Sequence, residues 1–330
     1  MDESHERQPD AAPGMVAESM ADGVLILVGL TIVQRSVGFL RSILFCRWLD
    51  PEQLGLWDMA FGFLMLAAPL SVLALSSSFR RYVEHYRQHG LLQRFLGRTT
   101  AAYFTLGGVS VVLALSVRPW ISTLVFGSPD RVELVTLMVL CLVAIIAFHY
   151  FIDLFGAFRN ARLLAGIQMA NSLIFAVAGV LMLSFWRCDA SSVVIAFGIA
   201  CAACAALGTM AVRRAWPSFV ETAGSHGTPS VWRKILPFVG WVSLANLMAA
   251  MFDVADRYMI IHFSTFSPSE ALAQVGLYHS CRVVPLLLVS VVAMTGSIIT
   301  PHLAHDWETG RRDQVSMRMQ MLLKLFGFGL

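Results

Sequence analysis

Apolar residues in this chain come in long runs separated by short polar connections. Eight runs are long enough to cross a bilayer as helices: residues 23–48, 54–76, 99–118, 132–153, 163–186, 191–212, 235–263 and 275–300. A helix rising about 1.5 Å per residue needs about 20 apolar residues to cross a hydrocarbon core of about 30 Å. A ninth run starts near Met319, and the sequence stops within it at LLKLFGFGL. The pattern predicts an all-α polytopic membrane protein. It is expected to divide into a cytoplasmic tail (1–22), an N-terminal lobe of six transmembrane helices (23–212), a basic cytoplasmic linker (213–234) and the start of a second lobe (235–330). That second part would hold two complete helices and a truncated third.

The pattern repeats. Gln53-Leu54-Gly55-Leu56-Trp57 opens the second run, and Gln274-Val275-Gly276-Leu277-Tyr278 opens the eighth, an offset of 221 residues. Each of these runs then leads into a polar segment ending in glycine, Gly90 or Gly310. Six spans separate the starts of the two units. An even number preserves orientation, so the expected relation is a parallel pseudo-two-fold repeat about an axis along the membrane normal.

Composition agrees: 57% of the 330 residues are hydrophobic and only 14% charged. Mean hydropathy is +0.68. These values lie outside the range of soluble domains. Net charge is only +3, and its distribution says more than its sum. Lys and Arg gather in alternate connections, around Arg80–Arg98, Arg159–Arg162, Arg213–Lys234 and Arg311–Lys324. The opposite connections hold only Arg47, Arg118, Arg131 and Arg187. The positive-inside rule then places the N-terminus of this multi-pass chain in the cytoplasm. Residues 1–22 have one basic residue, Arg7, so they lack the basic start of a secretory signal. Arg80–Arg98, with Tyr82, His85, Tyr86 and His89, is expected to form an amphipathic surface helix on anionic headgroups.

Four arginines remain inside spans: Arg35, Arg41, Arg257 and Arg282. A charge at mid-bilayer costs at least about 2.5 kcal/mol unless it finds water, a partner or an anionic ligand. Arg35 lies deepest. Arg41, Arg257 and Arg282 each sit about 9–10 Å below the outer boundary. Facing a common cavity, the four would line it with cations suited to phosphate oxygens. Snorkelling to the interface is the alternative for the shallower ones. Gln34 shares a helix face with Arg41, whereas Arg35 lies about 120° away. A bend at Gly38 would be needed to bring the two arginines together. In the seventh span, Asp253 and Arg257 are spaced for an i,i+4 ion pair. That leaves Asp256 either to pair with another arginine such as Arg282 or, with Asp253, to serve ion coupling. The weaker polar positions His149, Asp153, Gln168, Asn171, Asn246 and His279 are expected to make interhelical hydrogen bonds.

No metal-ligand spacing, phosphate loop or nucleophilic triad is present, so neither a cofactor nor enzymatic chemistry is expected. The only Cys-x-x-Cys, Cys201 and Cys204, lies in the apolar run CAACAALG, where small residues serve close helix packing. Nothing points to nucleic acid.

The first span and its continuation, GLTIVQRSVGFLRSILFCRWLDPEQLGLWDMAFGF, resemble the N-terminal signature of bacterial Wzx-type polysaccharide flippases. FDVADRYMIIHF, VGLYHSCRVVPLLL and IITPHLAHDW resemble the start of that family's second half. The resemblance implies two six-helix lobes around a cavity, a fold shared with multidrug exporters and the lipid II flippase. It implies transport of a polyprenyl-diphosphate-linked oligosaccharide from the inner to the outer leaflet of the inner (plasma) membrane by alternating access. Arg35 and Arg41 match two cavity arginines of the lipid II flippase, and Arg257, Arg282 and Gln34 complete the expected substrate contacts. Around Pro69 and Ser71, where that flippase has a further arginine, this sequence has none, which argues against lipid II. Membrane lipids, a polysaccharide polymerase and chain-length machinery are the implied partners. The family has about twelve or more spans, so the sequence reads as C-terminally incomplete. Two alternatives remain: a multidrug or cation exporter of the same fold, disfavoured by the arginines, and a truncated remnant that transports nothing. A membrane enzyme of the same polysaccharide is disfavoured because no outer loop is large enough for catalytic residues.

Overall fold

The computed structural model describes residues 20–88, 90–158, 160–216 and 231–308, with 316–317, 319–321 and 324 beyond them. It divides into two units, Met1–His279 and Ser280–Leu330, each taken by itself below. The first unit opens with α1 (Met20–Trp48), α2 (Pro51–Ser71), α3 (Ser77–Gln88), α4 (Leu92–Ser116) and α5 (Arg118–Phe126). After a short 3-10 turn at Pro129–Arg131 come α6 (Val132–Ala157), α7 (Ala161–Phe185), α8 (Ala190–Ala215) and α9 (Val231–Phe263). Helix α10 (Pro268–Glu308) begins in the first unit and continues into the second.

Among the described residues there is no strand. Among the described residues, seven segments, in α2, α4, α6, α7, α8, α9 and α10, are long and apolar enough to cross a membrane. The 29-residue α1 carries the first expected span. The chain is an all-α, multi-pass membrane protein. The ninth expected span and the tail 1–19 lie outside the described residues, apart from isolated positions near the C-terminus.

Local chemistry sets the helix starts. Pro51 stands at the first position of α2, where its missing N–H costs no hydrogen bond. Asn160 caps α7, accepting from the Leu163 N–H at 3.0 Å. Asp189 caps α8, accepting from the Ser192 N–H at 2.9 Å. The core lies where α6, α7 and α8 meet. Val135, Met138, Val139 and Ile145 of α6 are fully buried, as are Val193, Ala196, Ala200, Cys201 and Cys204 of α8. The Cys204 thiol donates to the Ile167 carbonyl at 3.6 Å, and Asn171 donates to the Cys201 sulfur at 3.8 Å. Both cysteines pack against α7, as their small size suggests. Toward α1 an aromatic cluster fills the space: Phe175 lies 5.9 Å from Phe45, 5.7 Å from Trp57 and 5.1 Å from Phe197, centroid to centroid. Large apolar side chains such as Phe185 and Phe252 stay exposed. Lipid tails are as apolar as they are, so no force buries them.

Two departures from the hydropathy pattern matter. Helix α2 ends at Ser71 rather than at 76, because Leu73 and Ala74 both adopt φ +50 and turn the chain. The basic segment Arg80–Arg98 is two helices rather than one: α3 stops at Gln88, Gly90 takes φ +65, and Arg94 and Arg98 belong to α4.

Candidate functional site

The two matched repeat motifs meet in space. A Cβ added to Gly55 would lie 1.9 Å from the Leu272 carbonyl oxygen, and one added to Gly276 would lie 2.0 Å from the Pro51 carbonyl oxygen. Pro51 and Leu272 are themselves 221 positions apart, so the two contacts exchange under the repeat offset. Only glycine permits this approach of α2 to the start of α10. The same offset pairs Asp58 with His279, and these side chains also touch: His279 Nδ1 lies 2.8 Å from Asp58 Oδ1. Positions matched by the repeat offset thus touch one another near the end of the bundle where α1 turns into α2.

Asp58 sits about 10 Å along α2 from Pro51. It is 5% exposed, and its Oδ1 takes a second partner, Arg257 Nη1 of α9, at 3.4 Å. Arg257, 8% exposed, also donates from Nη1 to the Asp58 carbonyl at 3.4 Å and from Nη2 to the Asp253 carbonyl at 3.1 Å. Gly62 makes room: a Cβ there would lie 2.9 Å from Arg257 Nη1. Two buried polar atoms of the cluster, Asp58 Oδ2 and Arg257 Nε, have no hydrogen-bond partner among the described residues. One carboxylate of the first repeat therefore holds two helices of the second.

Asp253 and Arg257 were expected to pair side chain to side chain. The guanidinium instead reaches Asp253 only through its backbone carbonyl and gives its charge to Asp58. Asp256 is exposed on the same helix and accepts from the Tyr278 hydroxyl at 2.6 Å. A carboxylate from across the interface displaced the neighbour one turn away, and sequence spacing on α9 alone could not show it.

The other expected site residues fall in separate places. Arg41 is half-buried, with its guanidinium carbon 4.0 Å above the Phe175 ring, so it is held by α7. Helix α1 is helical through Gly38, which keeps Arg35 about 120° from Arg41. Arg35 is exposed, and Gln34 is half-buried on the Arg41 side. Arg282 lies on α10 in the second unit, half-buried. At the opposite end of α2 a narrow cleft is lined by Leu66, Pro69 and Leu70 of α2 and Ser243, Asn246 and Leu247 of α9. Near the same end Arg81 of α3 lies 4.7 Å from the Phe238 ring centroid of α9. Among the described residues no group of three His, Cys, Asp or Glu gathers as a metal site.

Sequence reasoning did not single out Asp58. The signal existed, because the repeat alignment sets QLGLWD over QVGLYH and so places Asp opposite His.

A family model described as "Polysaccharide biosynthesis protein" matches residues 20–305. No curated protein sequence matches the chain. A solved chain described as "protein A" is similar in fold, with a TM-score of 0.67 at 13% identity, over 96% of this chain and 73% of that one.

Proposed function

The chain belongs to the polysaccharide biosynthesis protein family, and from that premise we propose that it is a flippase carrying a polyprenyl-diphosphate-linked oligosaccharide from the inner to the outer leaflet. The observation that carries this reading is Arg35, an exposed arginine midway along a 29-residue apolar helix. A charge at that depth is costly facing lipid and is stabilised facing a wet cavity or an anionic ligand. A diphosphate supplies that ligand, and the planar guanidinium matches its oxygens in pairs.

In this reading the chain lies in the inner membrane with its N-terminus in the cytoplasm, transports rather than catalyses, and meets the polymerase and chain-length machinery on the outer side. Arg35 is the first contact of the diphosphate, with Gln34 beside it on α1; Arg282, in the second unit, is proposed as a separate substrate contact. Arg41 joins them when it leaves Phe175, and Arg257 when it leaves Asp58. The α1–α2 turn lies at the outer face, and the Asp58 cluster closes that face in this arrangement. The lipid tail stays in the bilayer while the sugar crosses.

The test is Arg35→Ala at unchanged expression, read as polysaccharide at the cell surface. The expected result is loss of export, with the lipid-linked precursor accumulating on the cytoplasmic leaflet. Undiminished export would remove Arg35 from the path.

A further inference from the structure

We propose that Asp58 is the positioning residue of a latch: its single buried carboxylate holds α9 through Arg257 and α10 through His279, and release of that carboxylate is what lets α2 part from the second repeat. The inference rests on the transporter reading for its purpose, because only a transporter must open there.

The geometry suits a latch better than a permanent strut. A structural ion pair buried in lipid would be expected to satisfy both partners fully, since every unmet polar atom there is costly. This cluster does not. Arg257 reaches Asp58 Oδ1 with one arm at 3.4 Å, well beyond the usual 2.7–2.9 Å of a charge-assisted bond. Asp58 Oδ2 and Arg257 Nε are left unmet by any described residue. The His279 contact, at 2.8 Å, is short. Charge therefore holds the contact, but unspent hydrogen-bonding capacity on both partners favours a second arrangement in which water or an anion meets those atoms. The backbone fits the same picture. Gly55 and Gly276 let the α2 and α10 backbones approach directly, with Leu272 and Val275 buried beside them, so the charged cluster is a polar tie across an otherwise apolar contact.

The latch also sets when Arg257 is available. A guanidinium paired with a carboxylate cannot take a phosphate in the same fork. While Asp58 holds it, Arg257 is withheld from substrate. Opening frees it on the side where a diphosphate must be received or released. Asp58 thus stands in for the anion during the closed part of the cycle.

The experiment reads closure directly. Ala271, 1% exposed at the start of α10, is replaced by Cys in a full-length chain whose exposed Cys188 and Cys281 are Ser. Labelling by a water-soluble maleimide is followed in sonicated membranes, where both faces meet the reagent. Asp58→Asn keeps the shape and the His279 contact but removes the charge. It should label at least about tenfold faster than the parent, the population change that follows from a loss of about 1.4 kcal/mol or more. Asp58→Asn with Arg257→Gln removes both charges and should return labelling to within about threefold of the parent, because no orphaned cation is left in the closed state. Labelling of Asp58→Asn at the parent rate overturns the proposal. So does a double variant that labels at least as fast as the single one, since that marks simple loosening. If Asp58→Asn does not accumulate, His279→Gln carries the same test on the other arm, with an expected rise of about threefold and an unchanged rate overturning the latch. The labelling result is independent of the substrate. Faster labelling in a protein whose Arg35→Ala variant still exports keeps the latch and removes Arg35 from the substrate path; slow labelling with lost export removes the latch and keeps Arg35 on that path.

Discussion

Gly55 and Gly276 meet backbone to backbone at equivalent points of two repeats 221 residues apart. A methyl group at either would sit about where a carbonyl oxygen of the other helix now lies, so the helices must shift. Gly55→Ala is expected to cost about 1–3 kcal/mol, the usual range for overpacking. Gly166 lies in α7 with nothing within 4 Å of an added Cβ, and Gly166→Ala should instead gain up to about 1 kcal/mol of helix propensity. Thermal unfolding in detergent checks the pair. Equal melting temperatures for the two variants would mean the α2–α10 contact is not made in solution.

Arg41 lies 4.0 Å over the Phe175 ring, away from Arg35. A desolvated cation–π contact is worth about 2 kcal/mol, against about 0.5–1 at an exposed site. Arg41→Met and Phe175→Leu, singly and together, form a double-mutant cycle on melting temperature. The expected coupling is about 1–2 kcal/mol. A coupling near zero would mean that Arg41 spends its time elsewhere, as it would if already lining the substrate path.

The spans were legible because run length alone decides them in a membrane. Nothing in the sequence marks the turn at 72–76: Val72, Leu73, Ala74 and Leu75 are as apolar as the helix before them, and no residue there favours the φ of +50 that Leu73 and Ala74 adopt. The break at Gly90 was legible in principle, since glycine takes φ +65 without strain, but the continuous basic charge on both sides hid it. The candidate site was half legible. The arginines stood out as charges in apolar runs, and the repeat was visible in two pentapeptides. Which carboxylate would hold Arg257 was not, because the i,i+4 rule describes one helix and the interface supplied a competitor from another.

Cys201 and Cys204 pack against α7, the Cys204 thiol on the Ile167 carbonyl and the Cys201 sulfur beneath the Asn171 amide. Replacing both by Ala should leave polysaccharide export intact while costing about 1–3 kcal/mol of stability through the small cavities left. Export and melting temperature measured on the same variant separate the two effects. Lost export at near-parent stability would reveal a role for the thiols beyond packing.

Arg131 Nη2 lies 2.6 Å from Glu52 Oε1, a much shorter ion pair than Arg257 and Asp58 at 3.4 Å. Distance alone would rank it the stronger, but burial reverses the order. The side chains of Arg131 and Glu52 are 38% and 35% exposed, and exposed pairs contribute about 0–1 kcal/mol. The side chains of Arg257 and Asp58 are 10% and 7% exposed, so removing one partner strands a buried charge, at about 3–5 kcal/mol. Glu52→Gln should therefore lower stability slightly. The loss should shrink as salt rises, because the screening length falls from about 10 Å at 0.1 M to about 3 Å at 1 M. Asp58→Asn should lower it several-fold more, with little dependence on salt, since mobile ions do not reach the cluster. Chemical or thermal unfolding of both variants at the two salt concentrations decides the point. A salt-sensitive loss for Asp58→Asn would mean that water already reaches the cluster and that the closure described here is open in solution.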